Sequence, residues 1–199
     1  CSDDDDALVV ENNSIAAIAS RASDLSILVS ALERADLVTT LDGTGPYTVF
    51  APTNAAFTSF LNANGFANLE AVPVAALKEI LLNHVVSGTN LSTSLTTTYI
   101  KTLAKGAASS TNSLSMFVNT ASGVRLNGVS SVVTADIVAT NGVIHIVDAV
   151  IGLPTVVTHA AANPNFTTLV GLLSGQGLVP TLAGTTSSPF TVFAPSNAA

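Results

Sequence analysis

The sequence predicts an α+β fold on three observations. Apolar residues recur at helical spacing early in the chain, most clearly at Leu25, Leu28, Val29 and Leu32. Over 92–153 the pattern changes to short β-favouring runs separated by Gly and Asn-Gly turns. Helices first and strands later, within the single stretch 14–153, is the order of segregated helical and sheet layers.

The elements follow in order. Asn13 or Ser14 caps a first helix carrying Ile15, Ala16, Ile18 and Ala19. Asp24 caps a second, whose apolar face opposes Glu33 and Arg34. The cluster Asp42-Gly43-Thr44-Gly45-Pro46 turns the chain. Tyr47 to Ala51 then reads as a strand stopped by Pro52, with Thr53 or Asn54 capping the helix that runs to Phe60. Pro73 suits the first turn of another helix, in which Leu77, Ile80, Leu81 and His84 share a face and Gly88 closes the section. Strands are expected at 97–103, 115–118, 124–126, 132–138 and 143–147.

The chain repeats itself. Tyr47-Thr48-Val49-Phe50-Ala51-Pro52-Thr53-Asn54-Ala55-Ala56 returns as Phe190-Thr191-Val192-Phe193-Ala194-Pro195-Ser196-Asn197-Ala198-Ala199. Upstream, Leu28, Val29, Leu32, Leu37, Val38 and Leu41 correspond to Leu169, Val170, Leu173, Leu178, Val179 and Leu182. The period is too long for a solenoid, so the copies are tandem domains, with the junction at Pro154.

Three segments resemble the signatures of the fasciclin-like (FAS1) domain family. Thr48-Val49-Phe50-Ala51-Pro52-Thr53-Asn54-Ala55-Ala56-Phe57 is similar to the first and 141–151, from Asn141-Gly142-Val143 to Ile151, to the second. Leu81-Leu82-Asn83-His84-Val85-Val86-Ser87-Gly88 resembles the central motif. The resemblance implies a wedge-shaped β-sandwich flanked by helices, and a role in adhesion or extracellular interaction rather than catalysis. It divides the chain into an acidic tether at 1–13, a first FAS1 domain at 14–153 and the N-terminal part of a second, incomplete FAS1 copy at 154–199. Asn83 stands where the family commonly has an aromatic residue, so adhesive activity of that Tyr-His pair is not carried over. The second copy lacks the central motif and the second signature strand. The expectation is that the natural chain continues, or that another chain supplies the missing strands, because Thr191-Val192-Phe193 would otherwise lack sheet partners.

Composition narrows the function. Hydrophobic residues make up 48% of the chain and charged residues 10%, which suits a packed core rather than a disordered chain. The most apolar stretch, 143–157, is interrupted by His145, Asp148, Gly152 and Pro154, too soon for a membrane span. With a net charge of −7 and six Lys plus Arg, the chain has no basic patch to neutralise phosphates, so no nucleic-acid partner is expected.

The single cysteine, Cys1, can form neither an internal disulfide nor a structural zinc site. Cys1-Ser2 resembles the mature start of a bacterial lipoprotein, processed from a signal peptide and carrying covalent lipid on the thiol. The alternative is a chain boundary that happens to leave Cys first. Asp3, Asp4, Asp5 and Asp6 follow. They lack the alternate spacing and turn glycine of a calcium loop and otherwise read as a solvated acidic tail. After a lipidated Cys, the run Ser2, Asp3, Asp4, Asp5, Asp6 resembles the export signal of surface lipoproteins in Gram-negative bacteria. The expected location is therefore the outer membrane, lipid-anchored and exposed at the cell surface.

No catalytic, metal or cofactor-binding residue is assigned. His84 on its apolar face, His145 opposite Ile144 and Ile146, and Asp148 at the strand end all read as structural. His159 matches Ile18 and reads as ordinary surface, and three dispersed histidines make no metal set. Gly171-Leu172-Leu173-Ser174-Gly175 has the wrong spacing for a nucleophile elbow, and Gly175-Gln176-Gly177 is no dinucleotide site. Asn12-Asn13-Ser14, Asn90-Leu91-Ser92 and Asn165-Phe166-Thr167 match glycosylation sequons that a chain rich in Asn, Ser and Thr produces by chance. Two functions are expected: a surface adhesion or interaction module contacting protein or glycan, or a non-catalytic accessory subunit docked in an outer-membrane protein complex.

Overall fold

A computed structural model describes residues 12–184 and 189–199. The first domain opens with α1 (Ile15–Arg21), a 3-10 turn at Ser23–Leu25, α2 (Ser26–Arg34) and α3 (Val38–Leu41). Strand β1 (Tyr47–Pro52) leads to α4 (Asn54–Ala63), and α5 (Val74–Leu82) follows. The strands are β2 (Val85–Ser87), β3 (Thr98–Lys101), β4 (Ser115–Asn119), β5 (Arg125–Leu126), β6 (Ser130–Ala139) and β7 (Gly142–Val147). The second repeat contributes α6 (Val156–Ala162), α7 (Thr167–Gly175) and α8 (Val179–Ala183).

The strands join in the order β2-β1-β7-β6-β5-β4-β3. The long strand β6 belongs to both halves of this ladder and carries irregular register between Val132 and Ile137, where Asp136 takes a positive φ of 61°. Such bulges bend a strand. The two halves face each other and enclose Phe50, Val86, Met116, Val118, Leu126 and Val147. On the other side of β1 and β7, the helices cover Val49, Ala51 and Ile144 with Leu28, Leu32, Phe57, Leu77 and Leu81. The result is the α+β sandwich expected, and it explains why β1 and β7 are apolar on both faces. They pair in parallel at the centre and are covered on each side.

Local chemistry sets the turns and ends. Ser14, rather than Asn13, caps α1 by accepting from the Ala17 N–H at 3.2 Å. Asn127 and Gly128, both at positive φ, turn β5 into β6, as an Asn-Gly hairpin turn requires. Asn141 ties three segments together. Its Oδ1 accepts from the Ile15 N–H at 2.9 Å, and its Nδ2 donates to the carbonyls of Leu41 and Gly43 at 2.7 and 2.8 Å. Gly142 must lack a side chain, because a Cβ there would lie 1.9 Å from the Tyr47 carbonyl oxygen.

Two expectations are corrected. His84 does not sit on a helical face, since α5 ends at Leu82. The β-branched pair Val85 and Val86 leaves the helix at once to lie antiparallel to β1. Asp24 does not cap α2, because it lies inside the 3-10 turn, and the cap comes from a residue distant in sequence.

Candidate functional site

The polar residues of the three signature segments are held by internal hydrogen bonds. Thr53 caps α4, accepting from the Ala56 N–H at 3.2 Å. Asn54 is the distant cap of α2. Its Oδ1 accepts from the Ile27 N–H at 2.9 Å, and its Nδ2 donates to the Ser23 carbonyl at 3.0 Å. The second repeat builds the same staple from matching residues. There Asn197 accepts from the Thr168 N–H at 3.0 Å and donates to the Pro164 carbonyl at 2.8 Å. The signature asparagine therefore joins its segment to the start of an earlier helix, α2 in the first copy and α7 in the second.

Asn83 and His84 form a clasp on the chain leaving β7. Asn83 is buried, and its Nδ2 donates to the carbonyls of Ile151 and Gly152 at 3.4 and 3.0 Å, while its Oδ1 accepts from Thr102 at 3.2 Å. His84 places Nδ1 2.8 Å from the Ile80 carbonyl and Nε2 2.9 Å from the Ile151 nitrogen. A carbonyl can only accept and an N–H can only donate, so the ring is neutral with its proton on Nδ1. Burial pushes its pKa down to about 4 against the opposing pull of the Ile80 bond.

A second polar cluster surrounds His145, which is fully buried and stacks on Phe50 at 5.4 Å between ring centroids. Its Nε2 donates to the Asn90 carbonyl at 2.8 Å, and its Nδ1 accepts from the Asp136 N–H at 3.1 Å. Thr48 donates to the Gly88 carbonyl at 2.6 Å and accepts from the Asn90 N–H at 2.8 Å. The Asp136 carboxylate accepts from the Ser92 hydroxyl and, at 2.7 Å, from the Ser92 N–H. The Ser92 hydroxyl, followed by its N–H, holds the Asp136 carboxyl below the usual carboxylate range. Sequence reading missed this cluster, because Ser92, Asp136 and His145 come together only through the bulge in β6.

The cluster contains a serine, an aspartate and a histidine, yet its wiring is not that of a hydrolase. A nucleophile must bond to the imidazole that takes its proton. Here the Ser92 hydroxyl bonds to the carboxylate, and both ring nitrogens of His145 are engaged by backbone. Asp148 likewise closes a turn, accepting from the Ser131 N–H at 2.7 Å. Among the described residues no group of three His, Cys, Asp or Glu is gathered to hold a metal ion, and no single helix is long and apolar enough to cross a membrane. Cys1, Ser2, Asp3, Asp4, Asp5 and Asp6 lie outside the described residues.

The exposed surface is where a partner can be met. Val133 and Val138, the latter 69% exposed, bracket the bulge at Asp136, and the exposed Leu91 precedes Ser92, which bonds Asp136. Arg125 opens onto a cleft of about 280 Å³ with Asn119, Ser122 and Ser131. His159 corrects the expectation of ordinary surface. It is half-buried, edge-on to Tyr99 at 5.6 Å, with its pKa lowered first by burial and then by Lys101.

Comparison with known proteins supplies the wider setting. The fasciclin domain model matches residues 23–154 and 164–199. The chain is 35% identical over 137 residues to protein sll1483 of Synechocystis sp., covering 69% of this chain and 72% of that protein. It is 27% identical over 173 residues to rat Stabilin-2, covering 80% of this chain but 11% of that much longer protein. Among solved structures, it resembles a FAS1 domain pair from the insect cell adhesion molecule Fasciclin I. The TM-score is 0.56 at 20% identity, over 87% of this chain and 60% of the other.

Proposed function

We propose that this chain, which belongs to the fasciclin domain family, is a non-catalytic adhesion or interaction module displayed at a cell surface. The observation that carries this reading is how the signature residues are used. Thr48, Thr53, Asn54, Asn83, His84, Asn141 and His145 all turn inward to bond backbone, so they build the scaffold. What remains for a partner is the exposed rim at Leu91, Val133 and Val138 and the Arg125 cleft. Loops and irregular strands on a rigid scaffold are where binding surfaces usually lie. The likeness to a cell adhesion molecule supports the same reading.

On this proposal Cys1 carries covalent lipid in the outer membrane of a Gram-negative bacterium, and Ser2 with Asp3, Asp4, Asp5 and Asp6 directs the protein to the outer face. The partner is a protein or a glycan. Whole cells treated with protease test the location. The protein should be cleaved in intact cells and protected once the four aspartates are changed to alanine. Protection of the unchanged protein would reject surface display. For the interaction itself, Val133→Asp together with Val138→Asp should abolish capture of the partner by the folded domain, and undiminished capture would remove this rim from the proposal.

A further inference from the structure

The first domain and the second repeat meet along one face of α6. Ala162 packs on Gly128 so closely that a Cβ added to the glycine would stand 3.2 Å from the Ala162 Cα. Asn163 donates to the Tyr99 hydroxyl at 3.2 Å. The Tyr99 ring lies 4.9 Å from Phe117 on one side and meets His159 edge-on on the other, with the planes at 70°. His159 also borders an apolar cleft of about 380 Å³ that runs between Leu114 of the first domain and α8. Among the described residues it is the only titratable one lining that cleft. Its Nδ1 is buried and has no hydrogen-bond partner among the described residues.

Charged groups approach from the first domain, where the Glu79 carboxylate of α5 accepts from the Lys105 and Gly106 N–H groups at 2.9 Å each and the other nearby charges are positive. Strand β3 presents Tyr99 and Lys101, whose Nζ is held by the Ser113 carbonyl at 3.3 Å and the Ser115 hydroxyl at 3.1 Å. Lys105 precedes the loop that lines the cleft, and Arg125 lies on β5 near the Gly128 turn. Strand β4, the turn at Pro164–Phe166, α7 and α8 contain no ionisable side chain. Asp148, beyond β7, is committed to the Ser131 N–H. A proton arriving on Nδ1 of His159 would create a buried donor without an acceptor and a second cation beside Lys101. Both effects oppose the docked arrangement.

We propose that this junction is an acid-released hinge, in which neutral His159 lets α6 dock on the Tyr99–Phe117 face and charged His159 frees the second repeat. The sign follows from the direction of the shift. Burial and Lys101 lower the His159 pKa in the docked state. Docking is therefore fully favoured above the ordinary histidine range near 6.5 and is lost as pH falls through the lower, docked-state value. An adhesion module with such a junction would change the spacing and direction of its two repeats in acidic surroundings.

Nuclear Overhauser contacts of the whole chain, followed from pH 7.5 downward, test the hinge. The His159–Tyr99 and Ala162–Gly128 contacts should disappear together as the His159 imidazole titrates, while contacts between Val49 of β1 and Ile144 of β7 persist. In His159→Gln the Ala162–Gly128 contact should survive over the same range, and in His159→Lys it should be absent even at pH 7.5. The hinge is overturned if the junction contacts outlast protonation of His159, if they vanish equally in His159→Gln, or if His159 stays neutral until the β1–β7 contacts are also lost.

Discussion

Acidification should weaken the first domain through His84. The buried imidazole is neutral in the fold, with its pKa lowered from 6.5 to about 4. Between those values the unfolded chain binds a proton that the folded chain refuses. Stability contributed by the neutral ring is therefore intact above pH 6.5 and declines as pH falls to about 4. At about 1.4 kcal/mol per pH unit, the whole decline is on the order of 3 kcal/mol. The structural cause is specific, because a proton on Nε2 would point a donor at the Ile151 N–H, itself a donor 2.9 Å away. Urea unfolding of the protein and of His84→Gln, at intervals from pH 7.5 to 4, isolates the effect. His159 and Asp136 titrate alike in both proteins and cancel in the difference. The variant should be the less stable at pH 7.5, and the gap should narrow by about 3 kcal/mol by pH 4. Parallel curves, or a His84 resonance titrating near 6.5, would refute the reasoning.

Two further perturbations follow from the repeat. Asn54→Ala removes the cap of α2 and leaves the Ile27 N–H unpaired; denaturant unfolding should show a loss of about 1–2 kcal/mol. Phe50→Ala empties the centre of the sandwich core and should cost about 3–5 kcal/mol in the same assay, whereas Phe193→Ala at the equivalent exposed position should change it by less than about 0.5 kcal/mol.

The parts of this fold that were legible in the sequence are those set by local pattern. The apolar spacing of α2, the β-favouring run at Tyr47 and the Asn127-Gly128 turn each follow from a few neighbouring residues. What escaped depends on distance. The cap of α2 comes from Asn54, 27 residues beyond the N–H it binds. Ser92 meets Asp136 across 44 residues, at a bulge that no periodicity announces. His84 was misplaced for a different reason. It continues the spacing of Ile80 and Leu81, and only the β-branched Val85 and Val86 after it signal that the helix has ended. His159 is half-buried through contacts no local pattern announces, with Phe166 and Leu169 of its own repeat and Tyr99 of the neighbouring domain beside it.

The parallel pairing of β1 with β7 has a mechanical consequence. A pull through the two chain ends of the first domain reaches β1 at Tyr47 and β7 at Val147. Those points lie at opposite ends of a shared ladder that runs from Tyr47 opposite Gly142 to Pro52 opposite Val147. The load therefore acts along the strands, and the ladder must slip as a unit instead of unzipping bond by bond. Tension entering from the second repeat meets the bonds of Asn83 and His84 to Ile151 and Gly152 before it reaches that ladder. A domain arranged in this way resists shear at its centre, which is the strength required of any link held at one end and gripped at the other.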